Sequence, residues 1–267
     1  MRIHIGYELT FQTAGPTPMI LLLYVRPDRT AHLESVETLL TQPFTPVKTY
    51  VDSFGNLCGR LIAPTGLFKL SYDNICRDSG KIEETGVGAL QHDIADLPPD
   101  VLRFLIASRY CEVDRFGQLA WQLFGNTPPG WARAQAVSDW VHANIQFGYE
   151  YANATKTAYD VLQDRRGVCR DFMHLTVTFL RALGIPARYA TGYLGDIGIP
   201  PQPYPMDFSA SLEVYLGHRW WTMDPRHNVP RIGRILMAVG RDAADTALTT
   251  SFGNATLTGF KVWTDEL

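Results

Sequence analysis

Apolar and polar side chains alternate from the start of the chain. In "RIHIGYEL", Ile3, Ile5, Tyr7 and Leu9 fall on one face of an extended backbone and Arg2, His4, Gly6 and Glu8 on the other, the period of a half-buried strand. Short apolar runs recur at "MILLLYV", "VKTYVDS", "LCGRLIA" and "LFKLSYD", separated by the turn formers "PDRT", "SFGN" and "PTG". This spacing predicts an antiparallel, sandwich-like β region over residues 1–90.

The period then changes. In "DLPPDVLRFLIASRYC", two prolines precede Val101, Leu102, Leu105, Ile106 and Tyr110 at helical spacing, and further helices are predicted over 115–124 and 131–147, the second after the breaker "NTPPG". Phe172, Leu175, Phe179 and Leu183 recur at steps of three and four, with Gly184 and Pro186 as a stop, so Cys169 sits at the N-terminal end of a helix. A strand-like "ARYATGYL", a proline-rich loop "GIPPQPYPMD" and a hairpin "SLEVYLGHRWWTMD" follow. The two-residue Gly217-His218 turn suits a type II′ connection. The fold class is α+β, with a β-rich domain at 1–90 followed by a second domain at 91–267 that starts with helices.

Composition narrows the function classes. With 46% hydrophobic and 19% charged residues the chain can bury a sizeable core, and a net charge of -3 gives no reason to expect a nucleic acid or an anionic membrane as partner. The N-terminus lacks the pattern of a signal peptide, and the longest apolar run, "PMILLLYV", is too short to span a bilayer, so a soluble, cytoplasmic protein is expected. Cys58, Cys76, Cys111 and Cys169 are widely spaced, which argues against a disulfide framework or a structural zinc; no cofactor or metal is called for.

In "DRRGVCRDFMHL" the Cys169 thiol is open to two readings. Free cysteine usually fills space in a core. A helix N-terminus with Arg165, Arg166 and Arg170 nearby would instead favour the reactive thiolate.

The stretch "TAYDVLQDRRGVCRDFMHLTVTFLRALGIPARYATGYL" resembles the nucleophile segment of the transglutaminase-like superfamily, where "GVC.D" precedes a helix and "LGIPAR" leads into the first core strand. "LEVYLGHRWWTMDP" is similar to that family's histidine and aspartate strands, the likeness spans about 130–230, and the N-terminal strands resemble the β-rich region ahead of this domain in bacterial relatives. The resemblance implies a papain-like Cys-His-Asp site acting on amides through a thioester, with Cys169 as nucleophile and Asp224 orienting the base. Asp171 matches the family motif but reads as first-turn helix support. The oxyanion would be met by the Cys169 backbone N–H and one donor from 144–151.

The likeness departs at one position. Members of that family commonly read H-A-W-x-E-V-Y where this chain reads "SASLEVY", so Ser209 stands where the base histidine is expected. Folding the hairpin sets Leu216 opposite Arg219, Val214 opposite Trp221 and Ser211 opposite Asp224, with Ser209 diagonal to Asp224. A serine hydroxyl cannot take a thiol proton near neutral pH. His227, three residues after Asp224 in "DPRHN", is the candidate replacement, an arrangement similar to bacterial relatives with serine before "EVY" and "RHN" after the aspartate. His174 lies about 140° round the helix from Cys169 and reads as a packing residue. His218 reads as a solvated hairpin tip, and His4, His32, His92 and His142 have no chemical neighbour in the sequence.

These residues predict a cysteine protease or amidase acting on a protein or peptide, with hydrolysis expected over crosslinking because water suffices as acceptor and nothing marks a lysine-binding site. The alternative is a catalytically inactive interaction module, argued from Ser209; a metal site from His218, Asp224 and His227 lacks ligand spacing.

Overall fold

The alternation at the N-terminus is realised: Ile3, Ile5, Tyr7 and Leu9 are all buried in a strand over Arg2–Thr13. The computed structural model describes residues 1–267 throughout. In chain order the strands are β1 (Arg2–Thr13), β2 (Thr17–Leu21), β3 (Leu40–Gln42), β4 (Lys48–Val51), β5 (Leu57–Ala63), β6 (Gly66–Arg77), β7 (Gln146–Phe147) and β8 (Arg166–Gly167). They continue with β9 (Ala187–Tyr193), β10 (Ser209–Leu216), β11 (Arg219–Met223), β12 (Ile235–Gly240), β13 (Thr249–Ser251) and β14 (Ala255–Glu266). The helices are α1 (Pro99–Leu102), α2 (Gly117–Phe124), α3 (Trp131–Asn144), α4 (Ala158–Asp164) and α5 (Cys169–Ala182).

Two antiparallel sheets, in the orders β14-β1-β6-β3 and β13-β2-β5-β4, form the N-terminal sandwich. Their facing side chains make one core: Ile5 and Tyr7 of β1 with Phe68 and Leu70 of β6 and Met19 and Leu21 of β2. The sheets do not divide at residue 90, because β13 and β14, which the sequence reading grouped with 91–267, pair with β2 and β1. Val262 and Thr264 of β14 are buried while most of the strand is half-buried or exposed, so its short inward-facing set escapes a search for apolar runs.

The third sheet, β11-β10-β9-β12, carries the helices and shares Tyr193, Ile235 and Met237 with the sandwich core, joined by Phe208 just before β10. Helix α5 packs on β9 and β10 and is covered by α2, α3 and α4, so every side chain from Asp171 to Arg181 is buried. Its buried threonines are satisfied within the helix, Thr176 Oγ1 donating to the Phe172 carbonyl at 2.9 Å and Thr178 Oγ1 to that of His174 at 2.7 Å. Truncating the fully buried Leu175 to alanine should cost about 2–5 kcal/mol, the usual range for a core leucine.

The helix predicted over 96–111 is shortened to the single turn of α1. Past Leu102 the chain turns away because the Phe104 carbonyl accepts the Ala187 N–H at 3.1 Å and the Ser108 and Cys111 backbones bond each other. Tertiary pairing outweighs local periodicity here.

Candidate active site

Three local features fix Cys169 at the first position of α5. Arg165 closes α4 in the left-handed region, φ 57°, and the chain enters β8, which pairs in parallel with β7. Gly167 leaves no room for a side chain, since a Cβ would lie 2.6 Å from that of Asp171. Val168 is extended, and its N–H donates to Asp171 Oδ2 at 3.0 Å, so the fully buried Asp171 supports the first turn as expected.

Cys169 is half-buried whereas Cys58, Cys76 and Cys111 are buried. Burial pushes the Cys169 thiol up, against the opposing pull of the Ala210 amide and the Arg226 guanidinium. The sequence-adjacent arginines act elsewhere: Arg165 lies over the Trp140 ring at 4.8 Å, Arg166 over Tyr151 at 5.1 Å, and Arg170 is paired with Asp171 at 3.0 Å. The cation that acts on the thiol is Arg226, from a different element, its guanidinium 3.8 Å over the Phe147 ring.

Hairpin β10–β11 has the expected register, with Val214 opposite Trp221 and Leu216 opposite Arg219. Its turn is not type II′: Gly217 and His218 have φ of 56° and 65°, and two positive values define type I′, whose twist matches that of the strands. Beyond β11 the chain turns at Asp224, and the His227 Nδ1–H donates to Asp224 Oδ2 at 2.9 Å while the His227 amide reaches Oδ1 at 3.3 Å. In a neutral ring this contact selects the tautomer with the proton on Nδ1 and the lone pair on Nε2. Arg234 Nη2 donates to the same Oδ2 at 2.9 Å. Burial alone would raise the Asp224 carboxyl, but the His227 hydrogen bond and the Arg234 charge outweigh it and hold the carboxyl far below the usual range.

The turn is also pinned to α3. Asn228, left-handed at φ 54°, donates to Asp139 Oδ1 at 2.7 Å and accepts from Ser138 Oγ at 2.8 Å. His142, which the sequence left without a partner, sits with Nδ1 3.0 Å from both the Pro225 and Arg226 carbonyls.

Cys169, His227, Arg226 and Ser209 line one cleft with Tyr149 and Asp207. Asp224 lies behind it, reached through His227. Ser209 Oγ has only a 3.5 Å contact with the Ala210 carbonyl and no bond to the imidazole. Asp207, two residues before Ser209, belongs to no motif in the sequence; burial pushes its carboxyl up against the pull of the Phe208 amide and Arg226. Tyr149, in the 144–151 segment expected to supply an oxyanion donor, forms an aromatic wall with Tyr204 at 5.6 Å. His174 is a buried packing residue, stacked on Tyr110 at 4.9 Å, with Nε2 accepting the Ala243 N–H at 3.1 Å. His218 stands at the hairpin tip against His92, ring centroids 4.1 Å apart. No group of three His, Cys, Asp or Glu side chains is gathered as metal ligands would be.

A family model described as "Transglutaminase-like superfamily" matches residues 118–225, which include Cys169, Ser209 and Asp224 and end before His227. A Cytophaga hutchinsonii protein, whose crystal structure is described as that of a "Putative Cysteine Protease", is 33% identical with a TM-score of 0.86, over 99% of this chain and 90% of that one. An uncharacterized protein of Mycobacterium leprae (strain TN) is 32% identical over 115 residues, 42% of this chain, so the match spans 41% of that curated relative's length.

Proposed function

The chain belongs to the transglutaminase-like superfamily, and from that premise we propose that it is a cysteine hydrolase of amide or peptide bonds, with Cys169 as nucleophile, His227 as base and Asp224 as the group orienting it. The observation that carries this reading is the His227 Nδ1–H bond to Asp224 at 2.9 Å on a ring that shares the Cys169 cleft. Because burial keeps the proton on the thiol, the base must remove it during attack.

His227 Nε2 takes the thiol proton as Sγ bonds to the substrate carbonyl carbon. The oxyanion meets the Cys169 N–H, which as the first amide of α5 has no partner within the helix. The C–N bond breaks, and the nitrogen leaves as ammonia or an amine carrying the proton from His227. Water, deprotonated by His227, then adds to the thioester; the C–S bond breaks, a carboxylic acid departs, and the thiol is restored.

Hydrolysis of a protein or peptide substrate is preferred to crosslinking, since water is the only acceptor required. Four free cysteines fit the cytoplasmic setting proposed with this activity, and no helix is long and apolar enough to cross a membrane.

The test incubates the protein with dimethylated casein and follows new amino termini, ammonia, and incorporation of dansylcadaverine. New termini or ammonia without the added amine, abolished in Cys169→Ala, are expected. No product at all, together with Cys169 no more easily alkylated than Cys111, would leave the inactive interaction module that Ser209 suggests.

A further inference from the structure

Arg234 belongs to no motif in the sequence, yet the structure buries its guanidinium between two carboxylates. Arg234 Nε meets Glu83 Oε1 at 2.6 Å and Nη2 meets Asp224 Oδ2 at 2.9 Å, with side-chain exposures of 5% for Arg234 and 2% for Asp224. Glu83 is anchored in turn, its backbone N–H donating to the Arg231 carbonyl at 2.8 Å and its Oε2 accepting the Arg231 N–H at 2.9 Å. The groups therefore run Glu83, Arg234, Asp224, His227, in alternating charge, from the segment after β6 to the edge of the Cys169 cleft.

The two donors on Asp224 compete. His227 Nδ1 and Arg234 Nη2 both reach Oδ2 at 2.9 Å, so the carboxylate's negative charge is divided between the imidazole and a permanent cation. With the imidazole neutral the four groups carry one net negative charge, and with the imidazolium they carry none. Burial makes each of these charges count for more than it would in water. Without Arg234 the whole pull of Asp224 would fall on His227, and a histidine already protonated cannot accept the thiol proton.

We propose that Arg234, held by Glu83, is a positioning residue that sets the basicity of His227 by sharing the Asp224 carboxylate, an inference that rests on His227 as the proposed base. Other charged and titratable groups face the same ring. Arg226 and Arg231 line its cleft with Cys169 from α5 and with Asp207 and Asp196 from the loop before β10. On α3, His142 bonds the carbonyls of the turn and Asp139 bonds Asn228. Arg234 and Glu83 differ from all of these in acting through Asp224, and their charges are opposite, so removing each must move His227 in opposite directions.

The experiment titrates the histidine rings of the whole protein by NMR without substrate, with the His227 signals assigned from His227→Gln. Arg234→Met should raise the His227 midpoint by about one pH unit and Glu83→Gln should lower it, the lower end of what a neighbouring charge brings. A purely structural role would move both the same way or neither, and either result overturns the proposal. If Arg234→Met does not fold, Glu83→Gln decides alone: a downward shift supports the inference, and an upward shift or none refutes it. A failure of the proposed function reads differently, as a His227 midpoint that shifts as stated while Cys169 reactivity ignores it.

Discussion

Asp224→Asn is the sharpest single perturbation of this site, because it removes the charge shared by Arg234 and the imidazole and leaves one acceptor oxygen where the carboxylate has two. Whichever way the amide turns, its Nδ2 meets a donor: the His227 backbone N–H, now 3.3 Å from Oδ1, or the His227 Nδ1–H and Arg234 Nη2, both now 2.9 Å from Oδ2. Removing one member of a buried ion pair costs about 3–5 kcal/mol. Arg234 keeps Glu83 at 2.6 Å, which places the loss near the lower end, about 3 kcal/mol, and a chain of this size should then melt about 6–12 °C lower. Turned with Nδ2 to the ring, the amide favours the wrong imidazole tautomer; turned the other way it lacks the charge that steadies the imidazolium, so in either case hydrolysis should fall about a hundredfold or more. The sign of the pH dependence follows from the depressed carboxyl. Its stabilisation is fully present above the unfolded value of about 4 and is lost as pH falls towards the folded value, far below it. Calorimetry of both proteins should therefore show a constant melting gap between about pH 5 and 8 that narrows below about pH 4. A gap unchanged down to pH 3, or a variant as stable as the parent, would refute the reasoning.

Substoichiometric alkylation with peptide mapping should label Cys169 ahead of Cys58, Cys76 and Cys111, since it alone is not buried, and its rate should still be climbing above about pH 8.5 because burial raises the thiol. Ser209→Ala should cost several-fold in rate at most, as its hydroxyl holds neither His227 nor Asp224, whereas His227→Ala should cost about a hundredfold or more with an unchanged circular dichroism spectrum. The reverse order would remove His227 from the base position. His142→Ala should lower activity several-fold, about the worth of one hydrogen bond, by freeing the Pro225 and Arg226 carbonyls; wild-type kcat/KM would show that the turn holds itself.

Strand β1 was legible because every second side chain is buried, and helix α5 because its large apolar residues keep helical spacing between Cys169 and Gly184, although the fold buries nearly its whole surface. Strands β13 and β14 were not, for a topological reason: they complete sheets begun some 240 residues earlier, and no local pattern names a distant partner. Segment 96–111 failed differently, having helical spacing but losing its backbone carbonyl at Phe104 to the Ala187 N–H at 3.1 Å. The type I′ turn at Gly217-His218 needed φ values, which glycine permits without dictating.

At the site, the legible part is the local part. Asp224 and His227 are three residues apart and bond within one turn, so a motif could bring them together. The groups that bond to them come from further along the chain: Arg234 is 10 positions beyond Asp224, and Asn228 and Asp139 meet across 89. Charge read along the chain misled for the same reason, since Arg165, Arg166 and Arg170 flank Cys169 in sequence but are spent on Trp140, Tyr151 and Asp171, and Arg226 stands by the thiol instead. The proposed move of the base from the Ser209 position to His227 follows the same spatial logic. Hairpin β10–β11 brings its first and last residues to one end of the sheet, so Ser209 and the turn after Asp224 border the same cleft as Cys169. A histidine relocated from the start of β10 to that turn keeps the thiol and the carboxylate where they are, and asks of the fold only the bonds from α3 and Arg234 that hold the turn in place.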